Sequence, residues 1–300
     1  MDFPGLPARL AAVGATVAQS QAVGGWQHPV RIVAVTKTHG PEAIRAALAA
    51  GLRDIGENRV QEALQKQEAV PDLPIEWHLI GTLQRNKARH AAGRFALIHS
   101  IDRADLATEL DRRVPAGGRQ GVLVQVNCSD EPQKGGVSPE SLPVLLDQLR
   151  SLERIEVRGL MTMSALTGDP AEQRRAFRRL RELRDEAERS GHRLPELSMG
   201  MSSDYPIAVE EGATMIRLGT VLFGERNSSP TTTPFISHRW MSTRRSSPGR
   251  SGGTIGPRWT SSSWRSRRSS IGCCATGLNT RSGSGAPRNS CGPSAIGSAP

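Results

Sequence analysis

Apolar positions along the chain fall into two patterns that take turns. Short, almost continuously apolar runs recur eight times: "VRIVAVT", "LRDIG", "IEWHLIG", "FALIHSI", "GVLVQVN", "EVRGLMTM", "LPELSMG" and "TMIRLGTVL". Runs of this length and β-branched content predict strands buried on both faces. Between them, apolar residues recur every three or four positions, as in "PEAIRAALAAG", "VQEALQKQEA", "RADLATELDRR", "SPESLPVLLDQLRSL" and "PAEQRRAFRRLRELRDEAERSG". That spacing predicts helices with one buried stripe. Pro41, Pro139 and Pro170 stand at helix starts, where the missing N–H costs nothing. Gly51 and Gly191 stand at helix ends, where a left-handed residue is needed. A further helix, "GLPARLAAVGATVAQ", precedes the first strand. Eight strands alternating with helices predict an α/β fold, a single parallel (β/α)8 TIM barrel with an extra N-terminal helix. A doubly wound open sheet competes, but at this length it would use fewer strands.

A barrel gathers its reactive groups where strands end and βα loops begin. The first strand delivers Lys37 to such a place. The chain holds four lysines against 35 arginines, so a residue chosen only for charge would be arginine. Lysine alone can lose its proton and attack a carbonyl carbon. The ordinary alternative is a lysine that lies along the rim and reaches water. The loops after strands seven and eight, the usual phosphate site of barrels, read "SMGMSSDYP" and "RLGTVLFG". Ser202, Ser203, Gly219 and Thr220 offer hydroxyls and closely approachable backbone N–H groups there. Arg217 shares the strand face of Gly219 and is expected to point into the barrel. An amine on one side and an anion cradle on the other describe a ligand that is both an aldehyde and a phosphate.

The stretches "VAVTKTH", "IGENRVQE", "WHLIGTLQRNK", "SID", "VQVNCSDEPQKGGV", "RGLMTM" and "LSMGMSSDYPIAVEEGATMIRLGTVLFGER" run in order across residues 30 to 226. On these, the chain resembles the pyridoxal phosphate homeostasis proteins, whose barrel is that of the alanine racemase class, the type III pyridoxal phosphate fold. The resemblance implies that Lys37 forms a Schiff base with pyridoxal 5′-phosphate (PLP). It implies Ser202, Gly219 and Thr220 at the phosphate and Arg217 at the pyridine nitrogen. Asn58 and His78, expected at strand ends facing the same mouth, join them as further contacts. Arginine stays protonated, so a ring nitrogen facing Arg217 should carry no proton, which makes a poorer electron sink. The family often has a second lysine two places after the first; here that place is His39. Lys134 is expected to be a solvated loop lysine that could accept cofactor transiently.

Composition divides the chain. From residue 228 to 300 there are ten arginines, no lysine and no acidic residue, so the whole net charge of +10 belongs to this tail. Ser, Arg, Gly, Pro and Thr dominate it without hydrophobic period, and it is expected to be disordered or the product of an out-of-frame message. Residues 1–227 are neutral and form the barrel. Cys128 is the single cysteine there, which argues for a reducing cytoplasm over a disulfide framework. No metal-ligand spacing occurs, no run has membrane-spanning length, and the charges of "EQRRAFRRLRELRDEAER" suit a solvated helix rather than a nucleic-acid groove.

Two functions fit one pocket. The first is a monomeric carrier that holds PLP for intracellular homeostasis, supplies PLP-dependent apoenzymes, and has no catalytic residues of its own. The alternative is a PLP-dependent amino-acid racemase, which needs an acid/base on each face of the substrate carbon. The family's enzymatic relatives take their tyrosine base from an added β-rich domain. This chain has one tyrosine, Tyr205, in the phosphate-side loop, and leaves Cys128 or His78 as the remaining candidates.

Overall fold

The computed structural model describes residues 3–129, 135–164 and 169–224. Lys134 and the tail from residue 228 lie outside the described residues. Eight parallel strands close a barrel in sequence order: β1 (Arg31–Val35), β2 (Asp54–Glu57), β3 (Glu76–Leu79), β4 (Leu97–Ile101), β5 (Gln120–Gln125), β6 (Ile155–Met161), β7 (Glu196–Ser198) and β8 (Met215–Leu218). The ring closes where β8 pairs with β1, Ile32 opposite Ile216 and Ala34 opposite Leu218. All eight expected strands are present.

The expected helices are present too: α1 (Leu6–Gly24), α2 (Pro41–Ala49), α3 (Val60–Ala69), α5 (Ala104–Arg113), α6 (Leu142–Arg150) and α7 (Pro170–Arg189). Pro41 and Pro170 open their helices, and Gly51 and Gly191 adopt φ of 87° and 90° beyond theirs. A short helix α8 (Tyr205–Glu210) starts just after Asp204, where the sequence places a helix start, and two others went unread: α4 (Ala88–Ala91) and α9 (Thr220–Phe223). The last of these corrects the eighth apolar run, which is not one strand to Leu222. Extended backbone stops at Leu218, Gly219 turns the chain with φ −115° and ψ −81°, and the remainder winds into α9. A short apolar run has no period that separates strand from buried helix.

Two cores result from strand alternation. Side chains pointing outward, such as Ala34, Ile55, Leu79, Ile98, Val122, Leu160 and Ile216, pack under the helices. Those pointing inward, Val33, Leu97, Leu123, Met161 and Met215, fill the barrel with Ile80 against them. The inward parity continues from Val33 through Val35 to Lys37, and from Met215 through Arg217 to Gly219. One strand face therefore runs from apolar filling into polar chemistry at its carboxyl end.

Candidate active site at the barrel mouth

A cavity of about 540 Å³ opens at that end. It is walled by Val35, Ile80, Met163 and Met201 and carries Lys37, Asn58, Ser202, Arg217, Gly219 and Thr220. Six of the seven residues expected from the sequence thus share one space. Ser203, expected beside Ser202, lines it as well, and so do Gln125 and Thr82, which were not singled out. Strand alternation could have found Gln125, two positions beyond the inward-facing Leu123.

The elements hold these groups by different means. Lys37 is half-buried in the turn that follows β1, closed by a bond from His39 N–H to the Thr36 carbonyl at 3.1 Å. Thr38, next to the lysine, has φ 69°, a left-handed conformation that a β-branched residue rarely adopts. Behind this turn, Thr36 Oγ1 donates to Glu57 Oε1 at 2.5 Å, and Lys66 Nζ donates to the Thr36 carbonyl at 2.7 Å and to Glu57 Oε1 at 2.5 Å. The ends of β1 and β2 are thereby tied to α3. Gly81 lets the loops after β2 and β3 meet, since a Cβ there would stand 2.2 Å from the Asn58 carbonyl oxygen.

Arg217 forms the base of the cavity and is 4% exposed. Its guanidinium donates to Ser198 Oγ at 2.6 Å and to the Thr162 carbonyl at 2.9 Å. Burial pushes its pKa down to about 10, against the pull of Asp204, so it keeps its charge at neutral pH. Beyond the end of β8, the N–H groups of Gly219 and Val221 converge on Ser202 Oγ at 3.2 and 3.4 Å. Two backbone donors that meet at a hydroxyl gather three hydrogen-bond donors of the kind a phosphate takes.

His78 is the exception. It was expected at the mouth, but β2 and β3 pair with His78 opposite Gly56, one layer below Asn58. Its ring is 1% exposed and bonds Asp54 and His99, both at 2.9 Å. Ile80, two residues on, takes the place at the cavity.

Comparison with known proteins agrees with this fold. The family model for the alanine racemase N-terminal domain matches residues 10–227. A pyridoxal phosphate homeostasis protein of Aquifex aeolicus is 47% identical over 205 residues, covering 68% of this chain and 90% of that protein. Its counterpart in Pseudomonas aeruginosa is 45% identical over 220 residues, covering 73% and 94%. This chain belongs to the pyridoxal phosphate homeostasis protein family. Among solved structures, PipY of Synechococcus elongatus PCC7942 with PLP bound is 44% identical, with a TM-score of 0.65 over 73% of this chain and all of PipY. The family match ends at residue 227, the boundary that composition marks in this member.

Proposed function

We propose that this chain binds PLP at the barrel mouth, with Lys37 Nζ bonded to the cofactor's aldehyde carbon, and holds it for delivery to PLP-dependent apoenzymes without turning over a substrate. The observation that carries the reading is one cavity with the amine on one wall, converging N–H donors on another, and a buried arginine at its base. When bound, PLP supplies a conjugated ring that can withdraw electrons from the carbon joined to the amine. Gly219, Val221, Ser202 and Thr220 bind its phosphate, Asn58 flanks the ring, and Arg217 donates a hydrogen bond to the ring nitrogen. A donor that keeps its own proton leaves that nitrogen unprotonated and weakens the electron sink.

Storage without turnover is supported by the described residues that line the cavity. Among its lining residues, Lys37 and Arg217 are the ionisable side chains. Tyr205 is buried at the start of α8, Cys128 lies after β5, and neither lines the cavity. No helix among the described residues is long and apolar enough to cross a membrane. The cytoplasm, where apoenzymes await cofactor, completes the proposal, with the chain acting as a monomer.

Borohydride reduction of the yellow protein followed by peptide mapping tests it. The label should sit on Lys37, and Lys37→Ala should be colourless. A label on Lys66, Lys87 or Lys134, or none, would overturn the site. Rapid amino-acid racemisation abolished by Lys37→Ala would overturn storage.

A further inference from the structure

Five strands send polar side chains into the barrel below the cavity, and these meet end to end. Arg217 Nη1 lies 2.6 Å from Ser198 Oγ, Ser198 Oγ lies 3.0 Å from His99 Nδ1, His99 Nε2 lies 2.9 Å from His78 Nδ1, and His78 Nε2 lies 2.9 Å from Asp54 Oδ1. His99 and Ser198 are fully buried and His78 is almost so, while Asp54 reaches the opposite rim. Arg31 stands 3.7 Å from Asp54 and also pairs with Glu196, which in turn binds Arg158. Asp204 acts on Arg217 from the mouth side.

Hydrogen-bond arithmetic fixes the direction of the chain. Arginine only donates, so Ser198 accepts from it and has one proton to give, which His99 Nδ1 receives. A neutral His99 then carries its proton on Nε2 and donates to His78 Nδ1. His78 in turn donates from Nε2 to Asp54, which only accepts when ionised. Burial, with the charges of His78, Arg217 and Arg31, holds His99 well below the usual histidine range. For Asp54, burial raises the pKa, but the bond and charge of His78 and the charge of Arg31 outweigh it and hold the carboxyl below its usual value. Every donor therefore points away from the cation at the mouth and towards the anion at the floor. Hydrogen bonds so aligned polarise one another and are stronger than the same bonds in mixed order.

We propose that Ser198, His99, His78 and Asp54 are positioning residues for Arg217, a one-way hydrogen-bonded chain that fixes the guanidinium against the cavity and couples it to the carboxylate at the barrel floor. A proton placed on His78 Nδ1 would reverse the chain, because that nitrogen faces His99 Nε2 at 2.9 Å. His78 then donates from Nδ1, His99 must donate to Ser198, and the serine hydroxyl loses its acceptor. A proton at the floor would thus loosen the arginine at the mouth.

The proposal rests on the PLP reading only for its cofactor readouts, so the first test uses cofactor-free protein. Histidine-selective nitrogen-15 NMR near neutral pH should find both rings protonated on Nε2, and Ser198→Ala should shift the His99 Nδ1 resonance, which loses its donor. With PLP, Ser198→Ala should bind about tenfold more weakly, the loss of one charge-assisted hydrogen bond. Asp54→Asn, at the solvent-touched rim and checked for folding by its melting curve, should displace the pH profile of the bound cofactor's absorbance. Rings protonated on Nδ1 in the unsubstituted protein would overturn the proposal. So would Ser198→Ala and Asp54→Asn that both match it in affinity and pH profile. An absorbing Lys37→Ala protein would instead defeat the PLP reading and leave the tautomer result standing.

Discussion

Strain and function share one turn at the residue scale. Thr38 holds φ 69° beside the amine, a left-handed state costing a non-glycine residue about 1–2 kcal/mol. Glycine removes that cost and gives back roughly 0.5–1 kcal/mol through its freer unfolded chain. Thr38→Gly should therefore gain about 0.5 kcal/mol, raising Tm by about 1–2 °C in calorimetry. The same substitution frees the lysine's neighbour, so PLP should dissociate faster from the more stable protein. A Thr38→Gly protein that melts lower would show that the positive φ carries no strain. This residue was invisible in the sequence, because "VTKTH" contains nothing that asks for a left-handed position.

Elements transmit position to the site through a buried ion pair. α3 sends Lys66 back to Glu57 and to the Thr36 carbonyl, so the helix after β2 clamps the end of β1 that bears Lys37. Glu57 is wholly buried, and its second oxygen, Oε2, has no hydrogen-bond partner among the described residues. Removing one partner of such a pair strands a buried charge, whereas replacing both can be nearly neutral. Lys66→Met should cost about 3 kcal/mol in urea unfolding, and adding Glu57→Leu should recover most of that. An undiminished Lys66→Met protein would mean the pair contributes nothing. At this scale the sequence was legible where periods were long: α7, with twenty residues, was read nearly to its bounds. It was illegible where α9 occupies the four residues beyond Gly219, three of them apolar. Depth was the other loss. Alternation in a single strand says that His78 points inward, but its level comes from pairing with Gly56 on the neighbouring strand, and register is not written in either strand alone. Asp54, His99 and Ser198 escaped for the same reason, since their chain exists only once five strands are in register.

Closure decides stability for the whole molecule, and it is complete before the tail begins. β8 pairs with β1 from Arg31 to Ala34, α1 lies against α8 and α9, and Arg9 Nε donates to the Leu222 carbonyl at 2.6 Å. The last described residue, Gly224, follows α9 directly. Each inward side chain of β8, Arg217 included, already has its neighbours from β1 and β7. The following segment brings ten arginines without one acidic residue, and no periodic apolar face with which to add a layer. Truncation after Asn227 should accordingly leave Tm and PLP affinity unchanged while removing the entire net charge of +10. Calorimetry and absorbance titration of the two lengths check this at low and high salt. A surface charge of that size would act on the barrel through solvent, so any difference it causes should vanish as salt screens it. A fall in Tm that persists at high salt would mean that the tail packs on the barrel, and that the seam between β8 and β1 does not close the fold unaided.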